Sequence, residues 1–167
     1  MVSIRELLRY QLDFTTWATE RLLAATDGMT AEELSHDFKT SDKSILGTLA
    51  HIYRAERVWL NRLHGKRVEF AVAGDDTLVA LQQNWPALRA GWADWARELN
   101  DDTAGADISY ADLKGNPYTQ PIWTIVLHVV NHSSHHRGQA VGFMRTLGHT
   151  PPNVDLITFS RQRLTVG

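Results

Sequence analysis

Histidines are concentrated in one stretch of this sequence, where four of the eight lie within residues 128–136. The stretch belongs to an apolar segment with helical spacing, in which His132 and His136 share one face at about 100° per residue. The other members of that face are Ile125, Val129, Ala140, Phe143 and Leu147. The pattern therefore predicts a helix whose two imidazole rings point into the core, one turn apart.

A pair of neutral histidines at positions i and i+4 can offer two nitrogen ligands to one metal ion. The alternative is a buried pair whose hydrogen bonds are satisfied by polar neighbours. His128 extends the ladder, but residues eight apart lie about 12 Å apart along a helix axis, so one ion can bind only an adjacent pair. A further ligand would come from another helix, where His51 is the candidate. For His51 alone, the alternative is a boundary histidine bonded to backbone or water.

Composition limits the kinds of protein and site that this chain can form. Its 167 residues, 43% of them hydrophobic, suit one domain over residues 1–167 with a sizeable core. The chain has no cysteine, so any metal must be bound by His, Asp or Glu. A net charge of −2, with scattered Lys and Arg, argues against nucleic-acid binding. Because it lacks a signal-type or membrane-spanning apolar run, the sequence predicts a soluble cytoplasmic protein.

Hydrophobic periodicity and capping residues predict four long amphipathic helices. The first runs from residue 4 to a stop at residues 27–28, the second from residue 45 to about residue 65, the third over residues 76–99, and the fourth from Pro121 to residue 147. Pro86 is a candidate kink in the third helix. A turn signal at residues 114–117 predicts a small β-hairpin before the fourth helix, and residues 155–163 suit a short last helix. The predicted fold class is all-α, a four-helix bundle.

Glu56 falls near the middle of the apolar face of the second helix, where an unpaired carboxylate would be costly. One interpretation is that Glu56 orients a histidine such as His128, or acts as a general base beside metal-bound water. The alternative is an ion pair with Arg21 or Arg137. His128 lies at the edge of the histidine face, which favours a hydrogen-bonding role behind the ligands. Glu56 and His128 are therefore the candidates for residues that support the site.

Three segments of the sequence resemble one known family. They are residues 49–52 (Leu-Ala-His-Ile), residues 55–60 (Ala-Glu-Arg-Val-Trp-Leu) and, most specifically, residues 128–139, which end in His-Arg-Gly-Gln. Across essentially its whole length the chain is similar to the DinB/YfiT-like metalloenzymes. The resemblance implies a four-helix bundle, commonly dimeric, whose metal is held by one histidine of the second helix and two of the fourth. In this sequence those ligands are His51, His132 and His136.

The resemblance and the ligand set together suggest a function. Three neutral imidazoles leave at least one position open on a divalent ion, as in catalytic rather than closed structural sites. Related bundles include thiol-dependent S-transferases, so we expect a metal-dependent S-transferase or hydrolase with a small-molecule substrate such as a low-molecular-weight thiol. Nickel or zinc is the expected metal, and a homodimer is the expected assembly. The alternative is a non-catalytic bundle in which the ion is structural or a small ligand is sensed.

Overall fold

The fold was obtained as a computed structural model, which describes residues 2–165. Within this range the chain is mostly helical, with one two-stranded antiparallel sheet. The elements in chain order are α1 (Ile4–Ala24), a 3-10 turn (Ala25–Gly28), α2 (Ala31–Ser35), α3 (Ile45–Leu63), α4 (Leu78–Glu98), α5 (Asp101–Gly105), β1 (Asp107–Ala111), β2 (Pro117–Pro121), α6 (Ile122–Thr146) and α7 (Leu156–Thr165). The predicted helical bundle with a hairpin before its last long helix is confirmed. None of the helices in the described range is both long and apolar enough to cross a membrane.

Three of the four long helices begin where the sequence supplies a side-chain cap, whereas α6 begins after Pro121 without one. Ser3 and Glu6 form a capping box at the start of α1, in which each side chain accepts a hydrogen bond from the backbone N–H of the other. Ser44 caps α3 by accepting from the N–H of Gly47. Thr77 caps α4 in the same way. These bonds satisfy N–H groups that have no partner inside the helix, so the starts of these three helices follow from local sequence.

The structure differs from the sequence expectation at one proline and one short helix. Pro121 has an extended backbone and pairs with Asp107 in the hairpin, so α6 begins one residue later than predicted. Pro86 lies inside α4, which continues past it to Glu98, and a kink at this proline stays a prediction. The five-residue helix α5, capped by Asn100, is too short to produce a periodic pattern and is not predicted.

The four long helices pack as a bundle in which each helix contacts two neighbours. α6 packs against α1 and α3, and α4 packs against the same two helices. The core between them is one apolar cluster, whose fully buried members include Leu8, Leu22, Ile45, Leu49, Ile52, Leu81, Trp85 and Val126. The contact between α3 and α6 is the most extensive one between helices. This packing places the histidines of the second and fourth long helices against each other.

Candidate metal centre

Three histidines from two helices meet where α3 contacts α6. His51 comes from α3, and His132 and His136 lie one turn apart on α6. One nitrogen of each ring lies within 4.8 Å of the corresponding nitrogens of the other two. The Nε2 atoms of His51 and His132 are 3.0 Å apart, and the three ring centres are 4.4 to 4.9 Å from one another. The structure thus brings together the three residues that the sequence analysis selects.

The apolar face predicted for the fourth helix explains why its histidines turn inward. Ile125, Val129 and Ala140 on that face are all buried, with at most 2% of their surface exposed. His136 is buried in the same row and His132 is partly buried. His51 is also partly buried, as its predicted position at the flank of the second helix implies. The cluster therefore lies at the rim of the apolar core.

A carboxylate from the loop before α3 lies behind two of the three rings. Asp42 Oδ1 is 3.4 Å from His51 Nδ1, and Asp42 Oδ2 is 3.3 Å from His136 Nδ1. The Nδ1 atom of His136 is also 2.7 Å from Oε1 of Gln139. Because a carboxylate or amide oxygen attracts an N–H group and repels a nitrogen lone pair, these contacts favour the tautomer with its proton on Nδ1 in both rings. The lone pair is then on Nε2, where it is free to bind a metal ion.

The loop that carries Asp42 is held tightly against both helices. Lys43 has a φ of 63° and is the middle residue of a three-residue turn, closed by a 2.7 Å hydrogen bond to the Asp42 carbonyl. A β-carbon on Gly47 would clash with that same carbonyl oxygen, so the close approach of loop and helix requires glycine. On the other side, Phe38 stacks on Phe143 of α6 with ring centres 4.1 Å apart. The position of the Asp42 carboxylate is thus defined by contacts at both ends of the loop.

Burial favours the neutral form of two histidines in the cluster. Burial is the largest cause and, together with the neighbouring His136 and His51, it lowers the pKa of His132 to about 3. Burial also lowers the pKa of His51, although the charge of Asp42 opposes this effect. Neutral imidazole is the form that binds metal ions. Both rings are therefore in the ligating protonation state near pH 7.

Glu56 is buried as predicted, but its partners differ from the predicted ones. The residue is 3% exposed and accepts hydrogen bonds from Trp85 Nε1 at 2.8 Å and from Ser133 Oγ at 3.0 Å. Among the described residues, the predicted contact with His128 is absent. Burial raises the pKa of Glu56 above its ordinary value, although the hydrogen bond from Trp85 and the charge of Arg137 oppose this shift. Glu56 therefore links three helices behind the cluster rather than orienting a histidine.

The predicted ion pair of Glu56 with Arg21 or Arg137 is likewise not found within residues 2–165. Arg137 is 1% exposed and donates hydrogen bonds to Ser134 Oγ at 2.8 Å and to Thr19 Oγ1 at 3.2 Å. Arg21 instead donates to the backbone carbonyl of Asn153 at 3.2 Å. The reason for the error is geometric, because α6 turns the guanidinium of Arg137 toward α1. Its charge acts on Glu56 only from a distance.

His128 lies outside the three-histidine cluster. Its ring centre is 5.7 Å from that of His132 and 5.2 Å from that of Trp59, and the residue is exposed. This agrees with the argument that only an adjacent pair on the fourth helix can reach one ion. Any role of His128 behind the ligands stays a prediction.

Asp42 is the site residue that the sequence analysis misses. It lies in a polar segment before α3 that has the composition of an ordinary connecting loop. Gly47, in the first turn of an otherwise well-formed helix, is the one sequence signal of a close backbone approach. That signal does not identify the loop residue that makes the approach, because loop and helix meet only in the folded protein.

Comparison with known proteins places this chain in a family. The sequence profile of the DinB family matches residues 4–164. The crystal structure of a DinB-like protein from Bacillus cereus ATCC 10987, at 2.01 Å resolution, has the same fold, with a TM-score of 0.66 and 24% sequence identity over 87% of this chain and 95% of that chain. Among curated proteins, none matches this sequence. Because the family profile covers nearly the whole sequence, the chain belongs to the DinB family.

Proposed function

We propose that this protein binds one divalent metal ion through His51, His132 and His136 and that it is a metal-dependent enzyme. The observation that carries the proposal is the convergence of three imidazole nitrogens within 4.8 Å of one another. A set of neutral nitrogen donors suits zinc, nickel and other divalent ions of the first transition row. Ligands about 2 Å from one ion lie about 3 to 4 Å from each other, which agrees with the 3.0 Å separation of the His51 and His132 Nε2 atoms.

An ordinary hydrogen bond between two histidines is the rival explanation for that separation. It accounts for His51 and His132, but it gives no role to His136, whose Nδ1 is turned toward Asp42 and Gln139. A bound ion would give all three rings the same role. The carboxylate behind two of them also matches the carboxylate–histidine–metal arrangement that orients ligating rings in other proteins. We therefore favour the metal site.

The composition of the cluster favours catalysis over a closed structural site. Within residues 2–165, the group of side chains close enough to share an ion contains only the three histidines. Four or more positions are usual for such ions, so at least one would be left for water or substrate. When bound, the ion would supply a Lewis acid that lowers the pKa of water or of a thiol. Asp42 would keep the protons of His51 and His136 on Nδ1 and so hold both rings in the ligating tautomer.

We propose an S-transferase or hydrolase reaction on a small molecule, with a low-molecular-weight thiol as the leading substrate class. The reaction class rests on the resemblance to thiol-dependent bundles and is an analogy of fold and ligand set. Nickel or zinc is the proposed ion, because both accept imidazole ligands readily. The homodimer implied by the family resemblance is part of the same proposal.

Calorimetric titration of the metal-free protein with zinc and with nickel tests the ligand set. The protein should be made without a polyhistidine tag, so that bound metal can be counted per chain. We expect one ion per chain in the wild type and no stoichiometric binding after His51→Ala, His132→Ala or His136→Ala. His64→Ala is the matched control, because His64 is an exposed histidine at the end of α3. Unchanged affinity in any of the three variants would refute the assignment.

Cobalt-loaded protein distinguishes an open site from a closed one. The visible absorption of cobalt reports its ligands, so azide or a small thiol should change the spectrum saturably if a position is open. An unchanged spectrum would favour the non-catalytic alternative, in which the ion only joins α3 to α6. A saturable change would justify a screen for thiol transfer and hydrolysis with the same preparation.

A further inference from the structure

A row of aromatic rings runs from the histidine cluster toward the hairpin. The row consists of His132, His128, Trp59 and Tyr110, and successive ring centres are 5.7, 5.2 and 5.0 Å apart. His128 is exposed, while Trp59 and Tyr110 are half-buried, so ring surface is accessible along the row. The row begins at a proposed metal ligand on α6 and ends on β1.

A cavity of about 150 Å³ lies at the far end of this row, between the end of α3, the following loop and β1. Three cations line it: Arg62, Lys66 and Arg67. The guanidinium of Arg62 lies 4.5 Å from the ring centre of Trp59 and 5.1 Å from that of Tyr110, which connects the cavity to the aromatic row. Across the described part of the chain, none of these cations has a carboxylate within 4.0 Å.

The loop after α3 provides a second connection between the cavity and the cluster. Residues 65–69 line the cavity, and the next residue, Phe70, has its ring centre 5.5 Å from that of His51. Arg57 holds this loop in place, because its guanidinium donates to the backbone carbonyls of Glu69 and Phe70 at 2.8 and 3.1 Å. The aromatic row and the loop therefore both lead from the histidines to the same cavity.

The charges around the cavity favour an anion. Two carboxylates, Asp112 and Glu69, also belong to its lining. Asp112 accepts hydrogen bonds from the side chain of Asn116 and the backbone N–H of Lys114, so its oxygens are occupied inside the hairpin turn. The charge of Asp112 still acts on Arg62, so Asp112 and the exposed Glu69 together offset two of the three cations, and the lining keeps a net charge of +1. A negatively charged ligand would restore the balance.

We propose that this cavity binds the anionic group of an elongated organic substrate, whose apolar body lies along the aromatic row and whose reacting group reaches the histidine cluster. Three successive steps of about one ring width separate the two ends, so a small inorganic anion would not span them. A carboxylate, sulfonate or phosphate group satisfies the charge requirement. The reacting end rests on the proposed metal function, whereas the anion site stands on the cations and the cavity alone.

Two fluorescent probes with the same ring system test the anion site in metal-free protein. The probes are 8-anilinonaphthalene-1-sulfonate and N-phenyl-1-naphthylamine, which lacks the sulfonate. We expect the double variant Lys66→Glu/Arg67→Glu to bind the sulfonate about tenfold more weakly and the neutral amine with unchanged affinity. The matched control is Arg145→Glu/Arg161→Glu, which changes the net charge equally at exposed positions on α6 and α7. Equal losses in the two double variants, or no saturable binding of the sulfonate to wild type, would overturn the proposal.

Thiols on cobalt-loaded protein test the connection between the anion site and the histidine cluster. Glutathione carries two carboxylates, whereas 2-mercaptoethanol carries none. We expect Lys66→Glu/Arg67→Glu to weaken glutathione binding about tenfold and to leave 2-mercaptoethanol unchanged. Equal glutathione affinity in wild type and variant would refute the connection while leaving the metal site intact. If no thiol reaches the ion but the fluorescent probes respond as expected, the open metal site fails and the anion site stands.

Discussion

The backbone carbonyl of Asp42 fills the space that a β-carbon on Gly47 would need. The contact sets the loop against the first turn of α3 and leaves the Asp42 carboxylate 3.4 Å from His51 and 3.3 Å from His136. A residue without a side chain thus determines where the one carboxylate of the proposed centre lies. Substitutions at Asp42 and Gly47 therefore test how the site is supported without removing any of its proposed ligands.

Gly47→Ala should weaken metal binding although residue 47 is no ligand. The new methyl group must displace the loop and with it Asp42, so we expect about tenfold lower zinc affinity, in the range of losses seen when groups behind metal ligands are removed. Asp42→Asn should cause a similar loss without moving the loop. Calorimetric titration measures both effects. Wild-type affinity in both variants would contradict the role assigned to Asp42.

Gly47→Ala should also destabilise the fold, by about 1 to 3 kcal/mol, because the added methyl meets backbone atoms that cannot rotate away. Gly142→Ala is the matched control, since Gly142 is a helical glycine of α6 whose added β-carbon would meet nothing within 4 Å beyond the backbone of its own helix. We expect this control to be more stable than wild type by about 0.5 to 1 kcal/mol. Urea unfolding measures the difference, and a stabilising effect of Gly47→Ala would contradict the clash.

Glu56→Gln should make stability less dependent on pH. Burial raises the pKa of Glu56 above its ordinary value of 4.5, so the folded protein keeps a proton that the unfolded chain releases. Above pH 4.5 the free energy of unfolding of the wild type should therefore fall with rising pH, by up to about 1.4 kcal/mol per unit until the folded pKa is passed. In urea unfolding, the variant should gain stability relative to wild type as pH rises from 4.5 through the raised pKa. Glu98→Gln, at an exposed position of α4, is the control. A difference in unfolding free energy between Glu56→Gln and wild type that does not vary with pH would count against the raised pKa.

Asp75→Asn should destabilise the protein, because Asp75 joins the segment after α3 to Arg54 and to the backbone N–H of Val72. Burial by itself would raise the pKa of Asp75, but hydrogen bonds from Arg54 and from the N–H of Val72 hold it below its ordinary value of 3.8. The stabilisation is then present above pH 3.8 and is lost as pH falls through the lowered pKa. At pH 7 we expect the variant to lose about 1.5 to 3 kcal/mol of unfolding free energy, with a smaller loss at pH 3. Asp76→Asn is the control and should have a smaller effect, because the side chain of Asp76 is 60% exposed. A loss of stability in Asp75→Asn that does not change with pH would contradict the charge argument.

Light scattering at micromolar concentration tests the expected assembly. The chain has a mass of 18.9 kDa, and a homodimer would have twice that mass. The expectation rests on the resemblance to dimeric members of the family. A monomer mass that persists as concentration rises would overturn it.

Local signals in the sequence predicted most of the bundle. The predicted third helix, over residues 76–99, is observed as Leu78–Glu98, and the second ends at Leu63, close to the expected residue 65. Caps and hydrophobic periodicity involve residues no more than four positions apart, so both can be recognised in a short stretch of sequence. Spacing over four residues likewise predicted that His132 and His136 share the core-facing side of one helix. Their partner His51 followed from the flank of the second helix and from the resemblance, not from spacing alone.

The partners of these local elements were decided by tertiary structure. The sequence established that the carboxylate of Glu56 needs a partner, because burial of an unpaired charge is costly. That the partner is the indole of Trp85, 29 positions away on another helix, depends on how α3 packs against α4. Asp42 reaches His136 only because the loop before α3 crosses to α6. Spacing along one helix therefore determined which histidines turn inward, whereas the packing of the helices and of the loop before α3 decided which distant residues face them.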